Sequence, residues 1–377
     1  MTILSYLRLH QFRNYTSEEV DLGPGMHVFV GPNGQGKTNL LESIYYLSLL
    51  RSFRTKRVRS LRQWQRESFY LEGKLLSQDS EASRKRVDDI DVLYGDRRRL
   101  RINGTLIPRA SSFINRFLCL AFAPEDIRLV KGSAGERRRF LNILLSQMDS
   151  VYMHHLQRFA EAVRDRNAIL KEERRYGVSA LRAYDGLLIE HGAYLAAARA
   201  RFVRVFSEES RELFCRLTDN EVGNLGLAYR TRLAKTGAEN EDQTSLAASY
   251  ARRLAEALPR DREEKRTTCG PHRDDICLTL DDRLAGVYGS EGQCRLVALT
   301  LRLASVALLK TVHSPSRGLI LLVDDVLGEL DNRRREAFFS VLDGAEQIMI
   351  ATTELEPLLK ERAERVYQIE HGAIRPR

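Results

Sequence analysis

Gly31-Pro32-Asn33-Gly34-Gln35-Gly36-Lys37-Thr38 follows the apolar run His27-Val28-Phe29-Val30 and precedes a helical pattern from Asn39 to Leu50. The order is strand, glycine-rich loop, helix. Gly31 and Gly36 let the backbone turn tightly enough for successive N–H groups to face phosphate oxygens, and the helix N-terminus adds partial positive charge. Pro32, Asn33, Gly34 and Gln35 complete the cradle, Lys37 is spaced to reach β- and γ-phosphates, and the Thr38 hydroxyl to ligate Mg²⁺. Spacing and context both match a phosphate-binding loop rather than an ordinary glycine-rich turn.

Around this loop lie 377 residues, 43% of them hydrophobic and only 9 of them proline. Such a chain can bury a substantial core, in one large domain with a subdomain or in two domains. Lys and Arg (60) outnumber Asp and Glu (51), a formal net charge of +9, so the surface favours polyanions. Nucleic acid would suit that charge, which also occurs in proteins that touch none. Cys119, Cys215, Cys269, Cys277 and Cys294 form no C-x-x-C pair, so neither a disulfide framework nor a zinc site is implied. Met1 to Asn14 alternates apolar and polar residues with Arg8 and Arg13 inside, a strand pattern rather than a signal peptide. No apolar run approaches membrane-spanning length, and the expected location is the cytosol.

Taken in order, Ile3 to Leu9 reads as an edge strand and Val20-Asp21-Leu22 as a short strand ending at Gly23-Pro24-Gly25. Arg13, in Phe12-Arg13-Asn14-Tyr15, would lie near the loop if the first strand pairs with the one carrying it. It is then either a contact to nucleotide phosphate or a surface arginine. Arg51, Arg54, Lys56, Arg57, Arg59, Arg62 and Arg66 follow with no acid until Glu67, interleaved with Phe53 and the sole tryptophan, Trp64. The run suits a DNA backbone with aromatic contacts; for Trp64 itself, anchorage in the core is the favoured reading. Phe69 to Leu76, Asp88 to Tyr94 and Arg97 to Ile102 predict an antiparallel sheet, with a hairpin turn at Asn103-Gly104. Gly132-Ser133 opens a helix carrying Arg137-Arg138.

From about Asp149 to Ala257 there is no proline. Leu181, Leu188, Leu195 and Phe202 recur every seven residues, with Tyr184, His191, Ala198 and Val205 three further on. Under four heptads make a short helical arm rather than a long coiled coil, and His191 on the stripe reads as a packed histidine. Asp261 to Arg266 reads as a charged connector into Gly270-Pro271-His272-Arg273-Asp274-Asp275. Ser290 and Gln293 then form a capping box for a helix from Cys294 to Lys310. The same helix N-terminus, with Ser290 and Gly292, can also receive a γ-phosphate. Leu319 to Val323 is apolar enough for a parallel strand buried on both faces, and it ends at Asp324-Asp325. Asp324 is the natural partner of Thr38 in holding Mg²⁺, and Asp325 is placed to orient or deprotonate an attacking water.

With the loop near the start, Ser290-x-Gly292-Gln293 and Asp324-Asp325 near the end and a helical arm between, the chain resembles the ABC-type ATPase heads of the SMC and double-strand-break repair group. Within that group it is similar to the RecF family of bacterial gap-repair proteins. The residues carrying the resemblance are the loop, Phe12-Arg13-Asn14-Tyr15, Ser52-Phe53-Arg54-Thr55, Pro124-Glu125-Asp126, Gly132-Ser133 with Arg137-Arg138, Gly270 to Asp275, Ser290 to Gln293, and Asp324 to Leu327 with Glu329-Leu330-Asp331. Cys294 stands where the family usually has a second glutamine and Ala134 where it usually has proline. Thr352-Thr353 fills the place of the histidine that transporter ATPases carry.

The resemblance implies an α/β fold, an ABC-type ATPase head with a mixed P-loop sheet, an antiparallel β subdomain and an inserted helical arm. Residues 1–148 and 261–377 would form the two halves of the head and 149–260 the arm. It also implies a weak DNA-dependent ATPase that uses ATP and Mg²⁺ and pairs head to tail as a homodimer. Ser290 and Gly292 of one subunit would then close on the γ-phosphate held by Lys37 of the other, making Asp325, Lys37 and Ser290 the catalytic set. The dimer would clamp duplex or gapped DNA through Arg51, Arg54, Lys56, Arg57, Arg59 and Arg62, and would act with RecO and RecR to place RecA. An ATPase driving a transporter or assembly factor is the alternative, opposed by the basic run, the short arm and the missing histidine. A chromosome-organising SMC-like protein would need far longer arms.

Overall fold

The computed structural model describes residues 2–78, 85–219, 221–233, 242–312 and 317–377, without the side chains of 173–178 and of Glu329. Two compact units are present, Met1–Glu125 with Val306–Arg377, and Asp126–Ser305. The expected boundaries at 148 and 261 follow the change in helical content. Compactness instead divides the chain at 125 and 305, which puts the helices and the Ser290 region in one unit.

The first 125 residues supply β1 (Thr2–Phe12), β2 (Tyr15–Asp21), β3 (Gly25–Val30), α1 (Lys37–Leu49), β4 (Phe69–Gln78), β5 (Lys85–Tyr94), β6 (Arg98–Ile102), β7 (Thr105–Leu106), α2 (Ala110–Phe113) and β8 (Leu118–Phe122). An antiparallel sheet runs β2-β1-β4-β5-β6-β7. The expected edge strand is thus an interior one, hydrogen-bonded to β2 on one side and β4 on the other. Its partner β2 starts at Tyr15 rather than Val20, because only two residues turn the chain between Phe12 and Tyr15. Asn103 (φ 49°) and Gly104 (φ 75°) make the β6–β7 turn with both central residues left-handed, as the hairpin requires.

The second unit holds α3 (Arg128–Lys131), α4 (Ala134–Met148), α5 (Ser150–Lys171), α6 (Glu173–Thr218), β9 (Leu225–Arg230), α7 (Gln243–Glu264), β10 (Asp275–Leu280), β11 (Arg283–Leu284), α8 (Ala285–Tyr288) and most of α9 (Glu291–Val312). The 46 residues of α6 span about 69 Å, and α5 and α7 pack along it. Leu181, Leu188 and Leu195 are fully buried. The second row drifts off the seam until Val205 is 47% exposed, as a 3.6-residue turn does against a seven-residue repeat. The stretch read as a charged connector is helical to Glu264. Asp261 is buried, paired with buried Arg166 at 2.6 Å and accepting the Thr268 amide and hydroxyl at 2.8 and 2.6 Å. An isolated carboxylate could not be buried at this cost; a paired one can.

The first unit resumes with β12 (Leu319–Asp324), α10 (Asn332–Leu342), β13 (Gln347–Thr352), α11 (Pro357–Arg362), β14 (Arg365–Glu370) and β15 (Ala373–Pro376). These complete a second sheet, β15-β14-β3-β13-β12-β8, parallel except for β15. Eleven of the 13 residues of α1 are buried, because the helix touches strands of both sheets and so lies between them. Gln347 ties the sheets together: its buried amide accepts from the Leu4 N–H at 2.7 Å and donates to the Leu4 and Gly23 carbonyls at 2.9 and 2.6 Å. These contacts fix β13, the neighbour of the strand carrying the glycine-rich loop, against the first strand of the chain. None of the described helices is long and apolar enough to cross a membrane.

Candidate functional site

The loop leaves β3 and enters α1 through Gly36, whose φ of 120° only glycine adopts without strain. A Cβ on Gly36 would run into the Asn14 and Tyr15 side chains, and one on Gly31 into the Ile369 carbonyl. The loop is shaped from outside as well. Asn14 Nδ2 donates to the Gln35 carbonyl at 2.9 Å, Tyr15 OH to the Gly36 carbonyl at 3.0 Å, and Asn39 Nδ2 to Asn14 Oδ1 at 2.8 Å. The His371 amide donates to the Gln35 side-chain oxygen at 2.6 Å, so Gln35 serves the loop's own shape. Lys37 Nζ crosses the loop to the Gly31 and Pro32 carbonyls at 2.6 and 2.9 Å. Burial lowers its pKa, an effect opposed by Asp325 and Asp324.

Opposite the loop, β12 delivers Asp324. One strand, β13, separates β12 from β3, so the C-terminal ends of β3 and β12 lie together at the carboxyl edge of the parallel sheet, where such folds bind ligands. Thr38 Oγ1 donates to Asp324 Oδ1 at 2.8 Å. Asp324 is 5% exposed, and burial pushes its pKa up to about 6 against the pull of the Thr38 hydroxyl and the Arg54 charge. A hydroxyl and a buried carboxylate that gains from a nearby cation are hard oxygen donors of the kind Mg²⁺ takes, and the inward loop amides and Lys37 fit a polyphosphate. Asp325 follows in the left-handed region at φ 51° with an exposed side chain, its amide bonded to the Ala351 carbonyl at 3.1 Å. Asp tolerates that conformation better than most residues.

Arg13 does not reach the loop by strand pairing, since β1 and β3 belong to different sheets. Its guanidinium forks onto buried Glu42 of α1 at 2.7 and 2.9 Å and bonds the Ser60 carbonyl at 2.9 Å. Glu42 also accepts the Ser52 hydroxyl, whose oxygen takes the Arg54 and Thr55 amides at 2.9 Å each. Arg54 turns toward the nucleotide side, 3.1 Å from Asn39 Oδ1 and 3.8 Å from Glu125, and its charge pulls down the Asp324 pKa. Arg62 bonds the Arg59 and Glu67 carbonyls. Arg51, Lys56, Arg57, Arg59 and Arg66 are exposed. Trp64 is 86% exposed, which overturns its expected core anchorage: the buried anchor of this segment is Leu61. Sequence reasoning quoted Asn14, Tyr15 and Glu125 without a role and passed over Glu42. Asn14 and Tyr15 adjoin Arg13 in the chain, whereas Glu42 and Glu125 meet their arginines only through the fold.

In the second unit, Ser290 and Gln293 make the expected reciprocal cap, Ser290 N to Gln293 Oε1 at 2.8 Å and Gln293 N to Ser290 Oγ at 3.2 Å. Ser290 and Gly292 are exposed at the start of α9, while Cys294 is buried against the Ala285 carbonyl. The Gly270–Asp275 motif is architectural. Arg137 forks onto Asp275 at 2.8 and 2.9 Å, Arg138 reaches the Asp274 carbonyl, and buried Arg199 the Pro271 carbonyl at 2.7 Å. Burial pushes the pKa of His272 down to about 4, so its imidazole is neutral. His191 is buried with its Nδ1 2.9 Å from that of His155.

Residues 3–374 match the family model for the RecF/RecN/SMC N-terminal domain. The chain is 30% identical over 374 residues to the DNA replication and repair protein RecF of Clostridium botulinum, covering 98% of each chain. To the protein of the same name from Streptococcus agalactiae it is 32% identical over 353 residues, 93% of this chain and 92% of the other. Among solved structures, the recombination mediator protein RecF with ATP, of the RecFOR pathway, superposes with a TM-score of 0.87 at 26% identity, covering 100% of this chain and 99% of that one. Near-full-length similarity, in a chain that carries the glycine-rich loop, the capped Ser290 helix and the Asp324 that pairs with Thr38 in that order, leads to one conclusion: the chain belongs to the RecF branch of the RecF/RecN/SMC family.

Proposed function

We propose that this chain is an ATP-dependent DNA-binding repair protein, whose ATP-bound head-to-tail dimer clamps DNA at gaps or junctions and is released by slow hydrolysis. The observation that carries the ATP reading is the Thr38–Asp324 hydrogen bond at 2.8 Å beside Lys37. Gly31 to Thr38 cradle the phosphates and Lys37 exchanges two loop carbonyls for phosphate oxygens. Thr38 and Asp324 would hold Mg²⁺, which when bound neutralises phosphate charge. Asp325, at the exposed end of β12, orients or deprotonates the attacking water. Arg13 holds Glu42 and through it the Ser52 turn that aims Arg54 at this centre.

Ser290 and Gly292, exposed at a capped helix start, complete the site of a second copy, so ATP acts as glue between subunits. Lys56, Arg57 and Arg59, with Arg51, face solvent and bind DNA phosphates, while Arg62 braces the backbone of the segment and Arg54 serves the nucleotide side. The RecFOR pathway named for a solved relative supports action with RecO and RecR; placing RecA through them, in the cytoplasm, extends that reading. Ser290→Arg tests the arrangement. It should leave ATP affinity within about twofold, since the substitution lies on an exposed cap, yet abolish the ATP-induced doubling of mass in light scattering. A variant that still dimerises with ATP would sink the head-to-tail pairing.

A further inference from the structure

We propose that Trp64 is a stacking platform for an unpaired DNA base, with the flanking phosphates held by Lys56, Arg57, Arg59 and Arg66. The proposal rests on the DNA-binding reading and narrows its substrate to strands carrying bases without a partner. The indole is 86% exposed, the largest exposure among the big apolar side chains described, in a segment whose own core contact is the fully buried Leu61. Nor is it a loose tail. Gln63 N donates to the Gln11 carbonyl at 2.8 Å, Gln63 Nε2 to Thr16 Oγ1 at 2.9 Å, and Arg66 N to the Gln63 carbonyl at 3.1 Å, closing a turn in which Gln65 has φ 62°. Arg62 braces the same turn through a bridge to Phe12 and a 2.9 Å bond to the Glu67 carbonyl. A planar ring is thus presented outward from a fixed backbone, which lowers the entropy lost when a flat ligand covers it.

The chemistry around the ring selects the ligand. Among the described residues Lys56, Arg57, Arg59 and Arg66 are exposed and have no ion-pair partner, and no acid lies between Arg51 and Glu67. A protein groove for Trp64 would have to bring several carboxylates to meet these cations. One DNA strand supplies regularly spaced charge and flat aromatic faces together, and any base can stack. Within a duplex both faces of a base are covered by its neighbours, so an indole finds a free face only where pairing stops.

Because Trp64 is the sole tryptophan, its own fluorescence reports the contact. The full chain with ATP would be titrated at one salt concentration with a single-stranded oligonucleotide, a gapped duplex and a blunt duplex of equal length. Strong quenching by the first two is expected, and at most weak quenching by the third, whose only free faces are those of its two terminal pairs. Trp64→Ala should weaken gapped-duplex binding about tenfold and leave blunt-duplex binding within about twofold, with Trp64→Phe recovering most of the loss. Equal quenching by blunt duplex, an emission change caused by ATP-driven pairing alone with no further change on DNA, or a Trp64→Ala variant that binds gapped DNA normally would each overturn the proposal. If the wild-type chain binds all three DNAs without any emission change, only the stacking fails. If it binds none of them, the DNA-binding reading fails and the proposal with it.

Discussion

Two neighbouring stretches of one unit are both suited to phosphate, and they are built in opposite ways. From Gly31 to Thr38 the groups that face a nucleotide are held in place before any ligand arrives: Asn14 and Tyr15 pin the loop carbonyls, Lys37 spans the loop, and Asp324 holds the Thr38 hydroxyl. From Lys56 to Arg66 the backbone is braced while most charged side chains are exposed and unpaired. Pre-organisation suits a ligand of one shape, where every misplaced atom costs rate or affinity. Freely solvated cations suit a polymer that presents many equivalent phosphates. The difference separates a site that recognises one molecule from a surface that recognises a class.

Substitutions in the two stretches should therefore fail differently. The largest effect is expected for Lys37→Met, which removes a buried, hydrogen-bonded charge. ATP affinity should fall about a hundredfold or more, measured by calorimetry, and retained tight binding would break the assignment of the loop. A smaller and more uniform effect is expected for the double change Arg57→Glu with Arg59→Glu. Binding to any DNA should drop about tenfold, and the salt dependence should flatten by about two counterions. A loss confined to one DNA sequence would mean that these residues read bases.

The smallest effect concerns stability. The carboxyl of Asp324 titrates near pH 6 when folded, above its ordinary value of 3.8, so the folded state holds the proton more firmly than the unfolded one. The contribution of this group to stability is complete below about pH 4 and is lost as the pH rises through 6, the reverse of an ordinary paired carboxylate. Asp324→Asn should then stabilise the nucleotide-free, metal-free chain by on the order of 2 kcal/mol at pH 8, a gain that shrinks toward nothing as the pH falls to 4. Urea unfolding at the two ends of that range measures it. A gain independent of pH would mean that burial of the charge is not its source.

How much of this could be read beforehand follows the same division. The loop, the Ser290 cap and the Asn103-Gly104 turn are specified by residues within a few positions of one another, through backbone conformations only certain side chains allow. The apolar run ending in Asp324 likewise announces a buried parallel strand. What sequence did not reveal depends on distant partners. β1 lies inside its sheet because β4, some sixty residues later, adds to its free edge. Arg54 leaves the basic run for the nucleotide side because Asn39 and Glu125 await it, and Asp261 is buried because Arg166 meets it. The ordinary preference of an indole for burial points Trp64 to the core, and Leu61 occupies that place. A basic run gives its charge in the sequence but not the direction of each side chain.

The most direct test of a nucleotide-gated DNA clamp is the affinity of the full chain for a gapped duplex with ATP and with ADP, at one fixed moderate salt concentration, because salt alone changes such affinities by orders of magnitude. The account predicts clearly tighter binding with ATP, lost in Ser290→Arg. Equal binding with the two nucleotides would contradict it, leaving an ATPase head whose nucleotide governs something other than DNA.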